Sequence, residues 1–139
     1  MTKEELVLAV LSTSDGDPWN PSQLLKIFFI LDQKVPEEIG GHHWNFQPFD
    51  YGPYDATVFR TLEDLDAKGL VLIQKDGYLI LGYWSSVRGH RQGKEQLNKL
   101  PERTQDYIRR LSDWVRSLSF LQLVAAIRKE FPEMVTWKS

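Results

Sequence analysis

The amino-acid sequence predicts a mainly α protein with a small β-hairpin, an α+β class, on three observations. Apolar residues at 54, 58, 62 and 65 share one helical face rather than alternating. Directly after them, Leu70-Val71-Leu72-Ile73, Lys75-Asp76-Gly77 and Tyr78-Leu79-Ile80-Leu81 read as strand, tight turn and strand. Helical spacing then returns between Tyr107 and Phe131. A helix followed at once by a hairpin is the second half of a winged helix. The expected architecture is therefore one domain over 1–139, with a winged-helix-like core (1–87) and a C-terminal helical extension (88–139).

Each element has a local reason. Thr2-x-x-Glu5 is a capping box, and Leu6, Val7, Val10 and Leu11 form an apolar face, giving a helix over about 2–12. After the polar turn 12–18, Asn20 caps and Pro21 opens a second helix to about Gln33. Its centre, Leu24 to Leu31, is apolar nearly all round and reads as core. Pro36 and Gly40-Gly41 break the chain, and His43 to Phe49 alternates enough to predict a short edge strand beside the hairpin, with Pro48 confining it to an edge. Pro53 is placed to open the third helix, over about 53–68, which Lys68 and Gly69 end. The hairpin spans about 70–82. Beyond it a helix is expected over about 90–99, Pro101 opens another, and Ser119 caps the last. Phe120, Leu123, Val124, Ile127 and Phe131 make its buried side, Pro132 stops it, and the tail is expected to be loosely held.

Composition is ordinary for a globular protein, 42% hydrophobic and 26% charged. No apolar run approaches the ~20 residues that cross a bilayer. The polar, acidic N-terminus is no signal sequence, and with no cysteine there is no disulfide or thiolate chemistry, so a cytoplasmic location is expected. Charge is uneven. Residues 1–87 hold 6 Lys/Arg against 13 Asp/Glu, whereas 88–110 hold 7 against 3.

No enzyme constellation emerges, and no cofactor or metal is implied. His42 and His43 are adjacent, so on a strand they point apart, and no third ligand stands at zinc spacing. Gly89 and Gly93 lack a phosphate-loop pattern, and Glu37-Glu38 and Glu63-Asp64 read as solvated surface. The helix that would enter a DNA groove carries Asp55, Glu63, Asp64 and Asp66 against Arg60 and Lys68, which would repel phosphates. A nucleic-acid contact would fall instead to the basic segment 88–110, through Arg88, Arg91, Lys94 and Arg103; the plainer account is that this segment pairs with the acidic N-terminal body or keeps a helix solvated. Aromatic residues concentrate at element ends, among them Trp19, Trp44, Tyr51, Tyr54, Tyr83, Trp84 and Trp137. Such rings anchor protein interfaces. The candidate partner-binding residues are Trp44, Phe49, Tyr51 and Tyr54, with Trp137 available to fill the groove.

Three stretches together carry a family resemblance. Leu24 to Asp32, then Phe46-x-x-Phe49-x-Tyr51-Gly52-Pro53-Tyr54, then Val58-x-x-x-Leu62-x-x-Leu65-x-x-x-Gly69-Leu70-Val71 are similar to the SocA-like, or Panacea, group and to small bacterial proteins with the same "YGPY" signature. The close, Phe131-Pro132-Glu133-Met134, is similar as well. The resemblance implies a winged-helix-like domain of bacteria, archaea or phages, with members that neutralise a toxin by binding it, and it implies neither catalytic residues nor a cofactor. The expected function is non-enzymatic binding of a protein, possible toxins included; the alternative is a DNA-binding transcriptional regulator using 88–110. Oligomeric state is left open.

Overall fold

Reciprocal side-chain caps start three of the helices in the computed structural model, which describes residues 1–138. In α1 (Lys3–Leu11), Thr2 Oγ1 accepts from the Glu5 N–H at 3.1 Å while Glu5 Oε1 accepts from the Thr2 N–H at 2.8 Å. Asn20 with Gln23 repeats the device at α2 (Pro21–Lys34), and Ser119 with Gln122 at α6 (Phe120–Glu130). Glutamine takes the part that glutamate plays in α1, since the carbonyl oxygen of its side chain serves as well as a carboxylate. Between them lie α3 (Thr57–Ala67), β1 (Val71–Asp76), β2 (Leu79–Ser85), α4 (Val87–Asn98) and α5 (Glu102–Ser117). The described residues thus form a mainly α fold with one two-stranded antiparallel sheet, the α+β class expected from sequence. None of the helices is long and apolar enough to cross a membrane.

The third helix starts later than Pro53. Tyr54 is held extended by two backbone bonds to Gln47, its N–H donating at 2.9 Å and its carbonyl accepting at 3.0 Å. Asp55 then makes the turn, its Oδ1 accepting from the Thr57 N–H at 2.9 Å and the Thr57 hydroxyl at 2.7 Å. Its other oxygen takes the Asn45 N–H at 2.7 Å. These bonds hold the Asp55 carboxyl below the usual carboxylate range, although burial pulls the other way as the largest single influence. Asp55→Ala is expected to cost about 1 kcal/mol, read from the urea midpoint, because the Thr57 and Asn45 N–H groups lose their shared acceptor. At its other end, Leu70 N–H reaches the Leu65 carbonyl and Gly69 N–H the Asp66 carbonyl, both at 2.9 Å. This paired closure requires the left-handed φ of +74° that Gly69 adopts.

The expected edge strand over 43–49 does not form, and nothing there pairs with the hairpin. The N–H groups that a strand would offer are already used: His43 and Trp44 donate to the two oxygens of Asp32 at 3.2 and 3.1 Å, and Asn45 donates to Asp55. Pro48 has no N–H to give. Asp32 is buried on α2, and burial, its largest influence, pushes its carboxyl above the usual range against the pull of those two bonds. Trp19 takes the place beside the hairpin instead, exchanging both backbone bonds with Tyr83 at 2.9 and 3.0 Å. The hairpin turns at Gly77-Tyr78, and a bulge leaves Leu81 unpaired between Gly82 and Ile80.

The helix after the hairpin begins at Val87, earlier than 90, with Ser86 as its cap. Its first turn serves α3. The Ser86 hydroxyl donates to the Gly69 carbonyl at 2.8 Å and the Arg88 guanidinium to the Lys68 carbonyl, satisfying groups orphaned at the end of α3. Gly89 and Gly93, one turn apart, are buried where α4 meets the rest of the core. A methyl on Gly89 would overlap the Leu70 carbonyl, and one on Gly93 the Leu8 carbonyl, with Ser12 Cβ at 2.8 Å. With α4 this close on one side and α3 and β2 packed on others, α1 is buried from Leu6 to Leu11, not on one face alone. One cluster of buried apolar residues accordingly runs from Leu6 through Leu97, Val115 and Ile127 to Val135, joining the 1–87 and 88–139 segments.

The tail is pinned, not loose. After the turn Pro132–Met134, Thr136 N–H donates to the Phe49 carbonyl and Trp137 N–H to the Asp50 carbonyl, each at 2.9 Å. Arg128 holds the Trp137 carbonyl at 2.8 Å. Met134 and Val135 are buried beneath. Within α6, Leu123, Val124 and Ile127 are buried as expected, but Phe120 is exposed.

Candidate functional site

The Phe49–Tyr54 corner is rigid from both sides. Gln47 and Tyr54 pair across it, and the tail runs alongside Phe49 and Asp50. Fixed this way, its rings stand beside the first turns of α2 and the start of α6, enclosing an open cavity of about 200 Å³. Phe49, Tyr51, Tyr54 and Phe120 form the walls. The rings support one another: Phe49 and Tyr54 centroids lie 5.5 Å apart, and Tyr51 meets Phe120 edge-on at 5.4 Å. All four are exposed, Phe49 to 58%. Trp137 packs on Tyr51 at 5.7 Å and buttresses the wall without lining the cavity, so the groove is not filled by the tail.

Lys26 gives the cavity its chemistry. It is only 3% exposed, yet it lines the cavity with Ser22 and Leu25 on the same helix. Its Nζ bonds Ser22 Oγ at 2.8 Å and lies 5.5 Å from the centre of the Phe120 ring. None of the ion pairs among the described residues involves it. Burial alone pushes the amine down from its ordinary 10.5 to about 8. Gly52 makes the room: a Cβ there would come within 3.2 Å of Lys26 Cε, and its φ of +141° is one that other residues rarely adopt. The glycine of Tyr51-Gly52-Pro53-Tyr54 thus shapes both the corner and the seat of the lysine.

Of the four residues expected to meet a partner, three converge on this cavity and Trp44 does not. Trp44 is 9% exposed, its ring packed on Phe28 at 5.4 Å and Phe46 at 6.4 Å. The Asp32 carboxylate draws its backbone inward, which turns the side chain into the core. Trp19 and Tyr83, also placed at element ends by the sequence, are fully buried for a related reason, since their backbones pair with each other. Lys26, Ser22 and Phe120 were missed. The legible signal was Lys26 itself, one cation inside the apolar run Leu24–Leu31.

The basic residues are more dispersed. Arg88 is engaged by the Lys68 carbonyl, and Arg103, on α5, lies 3.9 Å from Glu38. Arg91 is exposed and Lys94 half-buried on α4, and neither has a carboxylate partner among the described residues. Glu63, Asp64 and Asp66 are all exposed on α3. The His43 ring contacts the Ile39 carbonyl at 2.6 Å, and no group of three or more His, Asp or Glu is placed to hold a metal among the described residues. Comparison with protein-family models, curated proteins and solved structures returned no match to this chain.

Proposed function

We propose that this chain is a non-enzymatic, cytoplasmic protein-binding module of the SocA-like, or Panacea, antitoxin type, which holds its partner on the aromatic corner. The observation that carries this reading is the cluster of exposed rings at Phe49, Tyr51, Tyr54 and Phe120, held rigid around an open cavity. Rings of this kind supply large contact area at small entropic cost, because little freedom is left to lose on binding. The resemblance of Tyr51-Gly52-Pro53-Tyr54 and its flanking helices to the antitoxin group adds the class of partner, a toxin.

The test is co-expression with the product of the neighbouring gene. That product is expected to arrest growth alone and to be neutralised and co-purified with this chain. Phe49→Asp combined with Tyr54→Asp is expected to abolish both effects with the circular dichroism spectrum unchanged. A neighbour harmless by itself sinks the antitoxin role, and full binding by the double variant removes the corner as the surface.

A regulator contacting DNA through 88–110 is the second reading, supported by the lack of carboxylate partners for Arg91 and Lys94 among the described residues. The exposed carboxylates of α3 and the engagement of Arg88 and Arg103 weigh against it. If it holds, random duplex DNA binds at low salt, affinity falls steeply as salt rises, and Arg91→Glu with Lys94→Glu abolishes the binding. Absence of binding at low salt removes it.

A further inference from the structure

The cavity at the corner has walls and a charge that ask for different things. Phe49, Tyr54 and Phe120 offer apolar faces, whereas Lys26 behind them is buried as a residue and its amine meets a single hydroxyl among the described residues. An ammonium has three donors, and Ser22 Oγ is its one hydrogen-bond acceptor among the described residues. A buried cation left in this state is costly unless something anionic completes it. A protein needing only to fill this space would place methionine there.

Resting on the protein-binding reading above, we propose that the cavity receives an acidic side chain of the partner protein, a glutamate between apolar neighbours, whose carboxylate pairs with Lys26 Nζ and Ser22 Oγ. Charge and shape both select this occupant. The cation is single, so one carboxylate neutralises it. It lies behind a ring of aromatic walls, so the carboxylate must arrive on a slim arm, and the two methylenes of glutamate lie against Tyr54 and Phe120 as it does. A chain-terminal carboxylate is attached directly to a branched α-carbon, which is too broad for that approach. The exposed rims of Phe49 and Tyr51 then cover the apolar neighbours.

Pairing restores the amine toward its ordinary basicity, so binding and protonation are linked. The free amine titrates near 8, and the other titratable groups facing the cavity are the phenols of Tyr51 and Tyr54. Affinity for the acid is therefore level from about pH 5, where glutamate is ionised, up to that pH, and falls by about tenfold for each pH unit above it, until the pKa of the paired amine is reached.

Three N-acetylated pentapeptides test this with the full chain: Ac-Ala-Leu-Glu-Leu-Ala-NH2, its glutamine counterpart, and the glutamine peptide with a free C-terminal carboxylate. The glutamate peptide is expected to bind at least about tenfold tighter than either of the others at pH 7, as befits a desolvated charge-assisted pair. It should also move the Lys26 Nζ resonance, and Lys26→Met should erase the preference. Equal binding of the glutamate and glutamine peptides overturns the inference. So does tighter binding of the free-terminus peptide, which would assign the cavity to chain ends, or absence of binding by all three at millimolar concentration. The protein-binding reading is judged separately. A complex lost with Phe49→Asp and Tyr54→Asp but unweakened by Lys26→Met leaves that reading standing and removes the acidic anchor alone.

Discussion

Gly93→Ala is expected to destabilise the protein by about 3 kcal/mol or more, although the same change in an ordinary helix interior is favourable by about 1 kcal/mol. The sign reverses because of what the missing side chain makes room for. A Cβ at 93 would overlap the Leu8 carbonyl and approach Ser12 Cβ to 2.8 Å, and backbone of α1 cannot yield as a side-chain tip would. To accept the methyl, α4 must lift from α1 and open the contact that buries Leu8. Gly89→Ala is expected to act likewise through the Leu70 carbonyl. The measurement is the free energy of urea unfolding, with Glu95→Ala, exposed on the same helix, as a control expected to stay within about 0.5 kcal/mol. A raised midpoint for Gly93→Ala would mean that α4 does not rest directly on Leu8.

Lys26→Met is expected to stabilise the protein at neutral pH, by about 2 kcal/mol. The unbranched thioether fills nearly the same space, and the cost of holding a desolvated ammonium disappears. Loss of the Ser22 hydrogen bond and of the approach to the Phe120 ring, roughly 1 kcal/mol each, limits the gain. Protonation sets a second signature. The folded-state pKa of about 8 lies below the ordinary 10.5, so between those values the unfolded chain holds a proton that the folded one has released. Stability contributed by this group therefore rises with pH through the window 8–10.5 and is lost as pH falls back through 8. The rise is on the order of 3 kcal/mol in full. The difference between the native protein and Lys26→Met isolates it from other groups that titrate there. A variant less stable at pH 7, with the same pH dependence as the native protein, would mean that the amine is not buried as a cation.

These two variants are expected to move stability in opposite directions. Gly93 is needed for the fold to close, whereas Lys26 is tolerated against stability. A destabilising group retained at an open cavity is where a binding requirement is expected to show.

Much of the framework was legible because its causes are local. Caps at Thr2, Asn20 and Ser119, and the paired closure at Gly69, depend on residues within a few positions of one another. Pro53 misled because Gln47 pairs with Tyr54 and holds it extended, and the 43–49 stretch because its first N–H groups are taken elsewhere. Asp32 and Asp55 capture backbone N–H groups up to twelve residues away, and a carboxylate's choice of distant donor has no periodicity to read. The site divides in the same manner. Phe49, Tyr51 and Tyr54 were visible as a cluster along the chain, while Phe120 enters from far downstream and Trp44 leaves because its backbone is pulled inward.

By itself, then, the chain determined its α+β class, the order of its helices and hairpin and the aromatic corner at 51–54, since apolar spacing, turn residues and caps act over a few residues. Only the tertiary structure decided that Gly89 and Gly93 mark a close backbone contact. It alone set Lys26 behind the rings of that corner, where burial changes what the amine can do. Both depend on which helix lies against which, and that is settled by packing across the whole chain.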